Sequence, residues 1–73
     1  MSVATVSARV VTPIPFVAPN GKADLIPPGP CLLEQLDAGR VDVVWGRAGE
    51  ASALLLLEEV ETAERDGKLV VLD

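Results

Sequence analysis

The sequence predicts a mainly β protein: about five short antiparallel strands with a short helical turn near residues 58–65. Three observations lead there. Gly39–Gly49 reads as a turn, a strand that alternates around Trp45, and a second turn, with Val41, Val43 and Trp45 on one side and Asp42 and Val44 on the other. Ser2–Val11 is rich in Val, Thr and Ser, and β-branched side chains favour a strand over a helix. Turn chemistry recurs between the apolar runs, at Asn20-Gly21 and Asp66-Gly67 among others.

The elements follow in chain order. After the first strand, Pro13 and Pro15 end regular pairing or confine Thr12–Val17 to a sheet edge, because proline cannot donate to a ladder. Pro19-Asn20-Gly21-Lys22 marks a tight turn, since Asn-Gly tolerates positive φ angles. Ala23–Ile26 is a short strand, stopped by Pro27-Pro28-Gly29-Pro30, which reads as an extended exposed loop. Cys31–Leu36 suits either two turns of helix or a strand. The strand is preferred, because Asp37-Ala38-Gly39 is a fitting three-residue hairpin loop onto Val41–Trp45.

Glu50–Asp66 admits two readings. As one helix over residues 50–66 it would place Ala53, Leu56, Leu57, Val60 and Ala63 on a common face, with Gly67 as the cap, giving an α+β alternative. As a strand, Ala51–Leu57 pairs back onto Val41–Trp45 through an Arg47–Glu50 loop, and Glu58–Arg65 is a helical turn. The strand is preferred: the helix leaves Leu54 and Leu55 off its face, whereas a buried strand accepts four successive leucines. Lys68–Leu72 closes the chain as a last strand. No repeat or linker divides residues 1–73, which read as a single small domain.

Composition narrows the function classes. At 49% hydrophobic the chain is too apolar for disorder. Its core is aliphatic, with Phe16 and Trp45 as the aromatics, and a small domain without staples gains from burying surface against another copy or a partner. The net charge of −5, with basic residues scattered at Arg9, Lys22, Arg40, Arg47, Arg65 and Lys68, disfavours nucleic-acid binding. Met1–Thr5 lacks the basic start and apolar run of a signal peptide, and no segment approaches the ~20 apolar residues of a membrane span. A cytoplasmic protein is expected.

Chemistry-bearing patterns are sparse. Histidine and tyrosine are absent, which removes the commonest general base, the commonest metal ligand and every Ser–His or Cys–His pair. Cys31 stands alone among apolar neighbours and reads as a small buried hydrophobe, with neither disulfide nor metal role. Glu58, Glu59, Glu61, Glu64 and Asp66 lack the alternating pattern of a calcium loop, and Glu61 and Arg65 are spaced for a surface ion pair. Gly46-Arg47-Ala48-Gly49 faintly suggests a phosphate-cradling turn, but it lacks the third glycine and the lysine, and Glu50 puts negative charge where phosphate belongs. No cofactor or metal is expected.

The succession of short strands, Pro-rich connection, Val41–Trp45 hairpin, helical turn and closing strand resembles small SH3-like barrels. That resemblance implies a barrel fold without implying a function. The groove aromatics of peptide-binding SH3 domains have no counterpart here, since Trp45 stands alone. Taken together, the expectation is a non-enzymatic protein-interaction module that self-associates or docks on a larger protein. Val44, Trp45, Glu58, Glu59, Glu61 and Glu64 are its candidate contact residues. The alternative is an acidic inhibitor that mimics nucleic acid and covers a basic surface on a target.

Overall fold

The computed structural model describes residues 4–72 and is mainly β, with seven strands and one short helix among them. The strands are β1 (Ala4–Val10), β2 (Ile14–Val17), β3 (Ala23–Ile26), β4 (Gly29–Gln35), β5 (Arg40–Trp45), β6 (Ala51–Leu56) and β7 (Leu69–Val71). The helix α1 (Leu57–Arg65) lies between β6 and β7. All pairings are antiparallel: a five-stranded sheet of order β6-β5-β4-β1-β7 and a separate β2–β3 hairpin. The expected Ser2 and Val3 of the first strand lie outside the described residues.

The sheets are not closed into a barrel, and there are seven strands where about five were expected. The reason is the path after β6. A barrel would need its edge strands β6 and β7 to be joined by further pairing, but α1 connects them and no strand bridges the gap. Nine helical residues extend about 13 Å, much of the ~19 Å between the edge strands of a five-stranded sheet. Leu69–Val71 therefore arrives at the opposite edge and pairs with β1.

The short helix is bounded by its own backbone chemistry. Glu59 Oε1 accepts from the Leu56 N–H at 3.0 Å, half of a capping box, and Leu56 has no side-chain oxygen to return the bond. At the other end the Gly67 N–H donates to Glu64 O and the Lys68 N–H to Ala63 O. With Gly67 at φ +75°, this is a Schellman stop. The single helix over residues 50–66 does not form, because β6 takes its first half.

Alternation sorts side chains into two faces. The inner face carries Ala8, Val10, Cys31, Leu33, Val41, Val43, Ala53, Leu55 and Leu69, all buried. Val60 and Ala63 of α1 and Ile14 and Ile26 of the hairpin complete that core, with Phe16, Trp45 and Leu57 packed at its rim. Helix and hairpin both lie on this one side. Leu54 and Leu56 are consequently about half exposed (52% and 49%), which corrects the expectation of a strand buried on both faces.

Two local expectations also shift. Gly29 and Pro30 belong to β4 instead of a loop, paired with Val10 and Arg9. Proline is tolerated there because β5 ends at Trp45, opposite Cys31, so Pro30 has no neighbour on that side to receive an N–H. The β5–β6 connection is Gly46–Glu50, one residue longer than expected. The Asn20-Gly21 turn forms as predicted, with Ala18 N–H donating to Lys22 O at 2.9 Å.

Candidate functional site

The face of the five-stranded sheet that neither α1 nor the β2–β3 hairpin covers is the most distinctive surface among the described residues. Register lays Ser52, Val44, Leu32 and Ser7 in one row, extended by Leu72, whose N–H donates to Ser7 O. The adjacent row holds Leu54, Asp42, Glu34 and Thr5. Leu32, Leu54, Leu56, Val70 and Leu72 are all exposed on this side. A depression of about 410 Å³ is lined by Ser7, Pro30, Leu32, Val44, Leu72 and the Gly46–Gly49 turn with Arg47.

Two charges sit awkwardly in this surface. Asp42 and Glu34 are directly paired across β4 and β5, and like charges in opposed positions destabilise a sheet. Among the described residues no cation pairs with either: the ion pair there is Asp37–Arg40, at 2.6 Å. In that pair the Arg40 side chain, and then the Gly39 N–H, hold the Asp37 carboxyl below the usual carboxylate range. The expected Glu61–Arg65 pair does not form.

The six sequence-predicted contact residues fall into separate groups. Val44 and Trp45 both line the outer depression, and the Trp45 ring also meets Phe16 edge-on, with centroids 6.1 Å apart and planes at 73°. Glu58 and Glu59 line a second groove of about 390 Å³ between β2 and α1, with Ile14, Pro15, Asp66 and Lys68. Glu61 shares a third depression with Glu58, beside Ala38, Gly39 and Leu57. Glu64 borders a fourth, with Val6, Val41 and Val60. Glu58 thus joins Glu59 on one side and Glu61 on the other, while Glu64 lies apart from them.

The Gly46–Glu50 turn is occupied by its own acid. Glu50 lies below the usual carboxylate range because its own N–H, and then the Ala48 N–H at 2.9 Å, donate to the carboxylate. Those are the donors a phosphate would need, and a strand follows the turn where a phosphate-binding helix would be required. Cys31 is buried, and burial pushes its thiol pKa up, away from the reactive thiolate. No cluster of metal-ligating side chains occurs among the described residues, and none of their helices is long and apolar enough to cross a membrane.

Leu32, Leu54, Leu72 and Glu34 went unassigned by sequence reasoning. Their signal was present in the alternation of Cys31 and Leu33 with Leu32 and Glu34. It gains meaning only when one face of the sheet is known to be bare. No protein-family model, curated protein or solved structure matches this chain.

Proposed function

We propose that this protein is a small non-enzymatic interaction module that docks a protein partner on the open face of its five-stranded sheet. The observation that carries this reading is the apolar row on that face, with Leu32 42% and Leu72 55% exposed on either side of Ser7. Exposed apolar side chains gathered on one face in this way mark interaction sites in soluble proteins. The Glu34–Asp42 pair specifies the partner's chemistry: an apolar surface with a Lys or Arg positioned between the two carboxylates. That cation would relieve the like-charge contact at the moment of docking. The absence of His and Tyr from the chain supports a binding role over catalysis.

Affinity capture from native cells tests the reading with three proteins compared side by side. These are the wild type, Leu32→Glu, and a variant with Glu58, Glu59, Glu61 and Glu64 all changed to Lys. Docking on the sheet face requires a captured protein that Leu32→Glu loses and the helix variant keeps. The reverse pattern refutes this site and favours the acidic-inhibitor alternative.

A further inference from the structure

We infer that two copies of this chain join through β6, edge to edge, about a twofold axis passing beside Ala53. The inference rests on the reading of the chain as an interaction module, but it uses the rim of the sheet instead of its face.

Hydrogen-bond direction along β6 follows from two observed bonds. Leu57 N–H donates to Gly39 O, and Leu36 N–H donates to Arg40 O. In an antiparallel ladder the bonded pairs recur every second residue. Val41, Val43 and Trp45 therefore exchange bonds with Leu55, Ala53 and Ala51. The N–H and C=O groups of Ser52, Leu54 and Leu56 point the other way, off the edge of the sheet.

Leu56 is already satisfied there. Its N–H donates to Glu59 Oε1, and its carbonyl opens α1. Ser52 and Leu54 are left with outward donors and acceptors that no turn or side-chain hydrogen bond among the described residues reaches.

Natural edges are usually guarded by charge, proline, a bulge or shortness. The far edge, β7, is only three residues long. β6 has six residues, Ala-Ser-Ala-Leu-Leu-Leu, with neither charge nor proline, and pairs with β5 without a break in register. By charge, proline, bulge and length it is the unguarded edge, and β2, which comes near it, does not pair with it.

The free groups select both the partner and the register. Antiparallel self-pairing with Ala53 opposite Ala53 sets Ser52 against Leu54 of the second copy, and Leu54 against its Ser52. Every free N–H then meets a free C=O. Sliding the register by two residues in one direction puts Ser52 against Leu56, whose N–H is taken by Glu59. Sliding it in the other direction puts Leu54 against Glu50, which lies outside β6 in the turn. The small Ala53 side chains at the axis present no steric obstacle on the inner face, and on the outer face each Leu54 packs beside a serine. The two open faces become one continuous surface. An edge contact of this size belongs with weak, transient interfaces.

Amide hydrogen exchange on the wild-type protein, followed by NMR over a dilution series reaching millimolar concentration, reads the contact directly. The expected result is protection of Ser52 and Leu54 that grows with concentration, while Leu56 keeps the same protection throughout. Light scattering then compares Ser52→Pro with Leu32→Glu. Proline removes only an outward N–H from the monomer but blocks the edge, so Ser52→Pro should lose the dimer and Leu32→Glu should keep it. Fast exchange at Ser52 and Leu54 at every concentration overturns the proposal. So does a dimer that Leu32→Glu abolishes and Ser52→Pro leaves intact. If Ser52→Pro does not fold, the exchange measurement decides alone. Loss of partner capture in Leu32→Glu with an intact β6 dimer, or the converse, separates this proposal from the docking of a partner on the sheet face.

Discussion

Replacing Trp45 tests how the β2–β3 hairpin is fastened to the sheet. Trp45 and Phe16 meet edge-to-face at 6.1 Å, inside the range where such pairs contribute about 0.5–1.5 kcal/mol beyond area burial. Truncating a core-packed Trp to Ala costs about 3–5 kcal/mol. Trp45 sits at the core's rim and is only partly buried, so the lower end of that range applies. A domain of 73 residues has about 4–11 kcal/mol in total at typical stability per residue, so Trp45→Ala risks unfolding the chain.

Leucine is the better probe because it keeps an apolar group in place. Trp45→Leu, Phe16→Leu and the double variant form a cycle, measured by urea unfolding with circular dichroism as the signal, since the Trp45 variants lose the protein's only indole. The coupling should be about 0.5–1.5 kcal/mol. Single-variant costs that add to the double within about 0.3 kcal/mol would refute the claim that this ring pair docks the hairpin.

Two further predictions concern turns and charge. Gly67→Ala should destabilise by about 1–2 kcal/mol in chemical denaturation, with Gly67→Asn costing less, because the φ of +75° is strained for a side chain while no atom lies within 4 Å of the added carbon. Equal effects of Ala and Asn would contradict a purely backbone origin. The lowered pKa values of Asp37 and Glu50 give a signed pH dependence. Their contribution is complete above the unfolded carboxylate range, about pH 4, and is lost as pH falls through the lower folded values. Asp37→Asn and Glu50→Gln should therefore be less stable than wild type near neutrality and converge with it in strong acid. Curves that stay parallel through the acid limb would contradict this.

Local signals were legible where backbone chemistry dominates. The Asn20-Gly21 turn, the Val41–Trp45 strand and the Gly67 stop each declare themselves within a few residues, because φ preferences and alternation are local properties. Pro30 misled because the rule against proline in strands depends on which neighbours are present, and β5 happens to end one position short of it. Leu54–Leu57 misled for a related reason. A run of leucines reports apolarity, but whether both faces are covered depends on where α1 and the hairpin settle. The glutamates of α1 were close in sequence, yet Glu64 borders a different depression from Glu58, Glu59 and Glu61, because a helix turns successive residues to different sides.

The position of β7 has a kinetic consequence. β1 lies inside the sheet, flanked by β4 on one side and β7 on the other. Val10 pairs with Leu69, fifty-nine positions further along the chain. Closing so long a loop carries an entropic cost that local contacts cannot offset early in folding. The β4–β5–β6 meander can assemble from neighbouring segments, but β1 acquires its second neighbour only after α1 has crossed the core. Until then β1 is itself an open edge, so a nascent chain in which residues 69–71 have not yet emerged exposes a second site for intermolecular pairing.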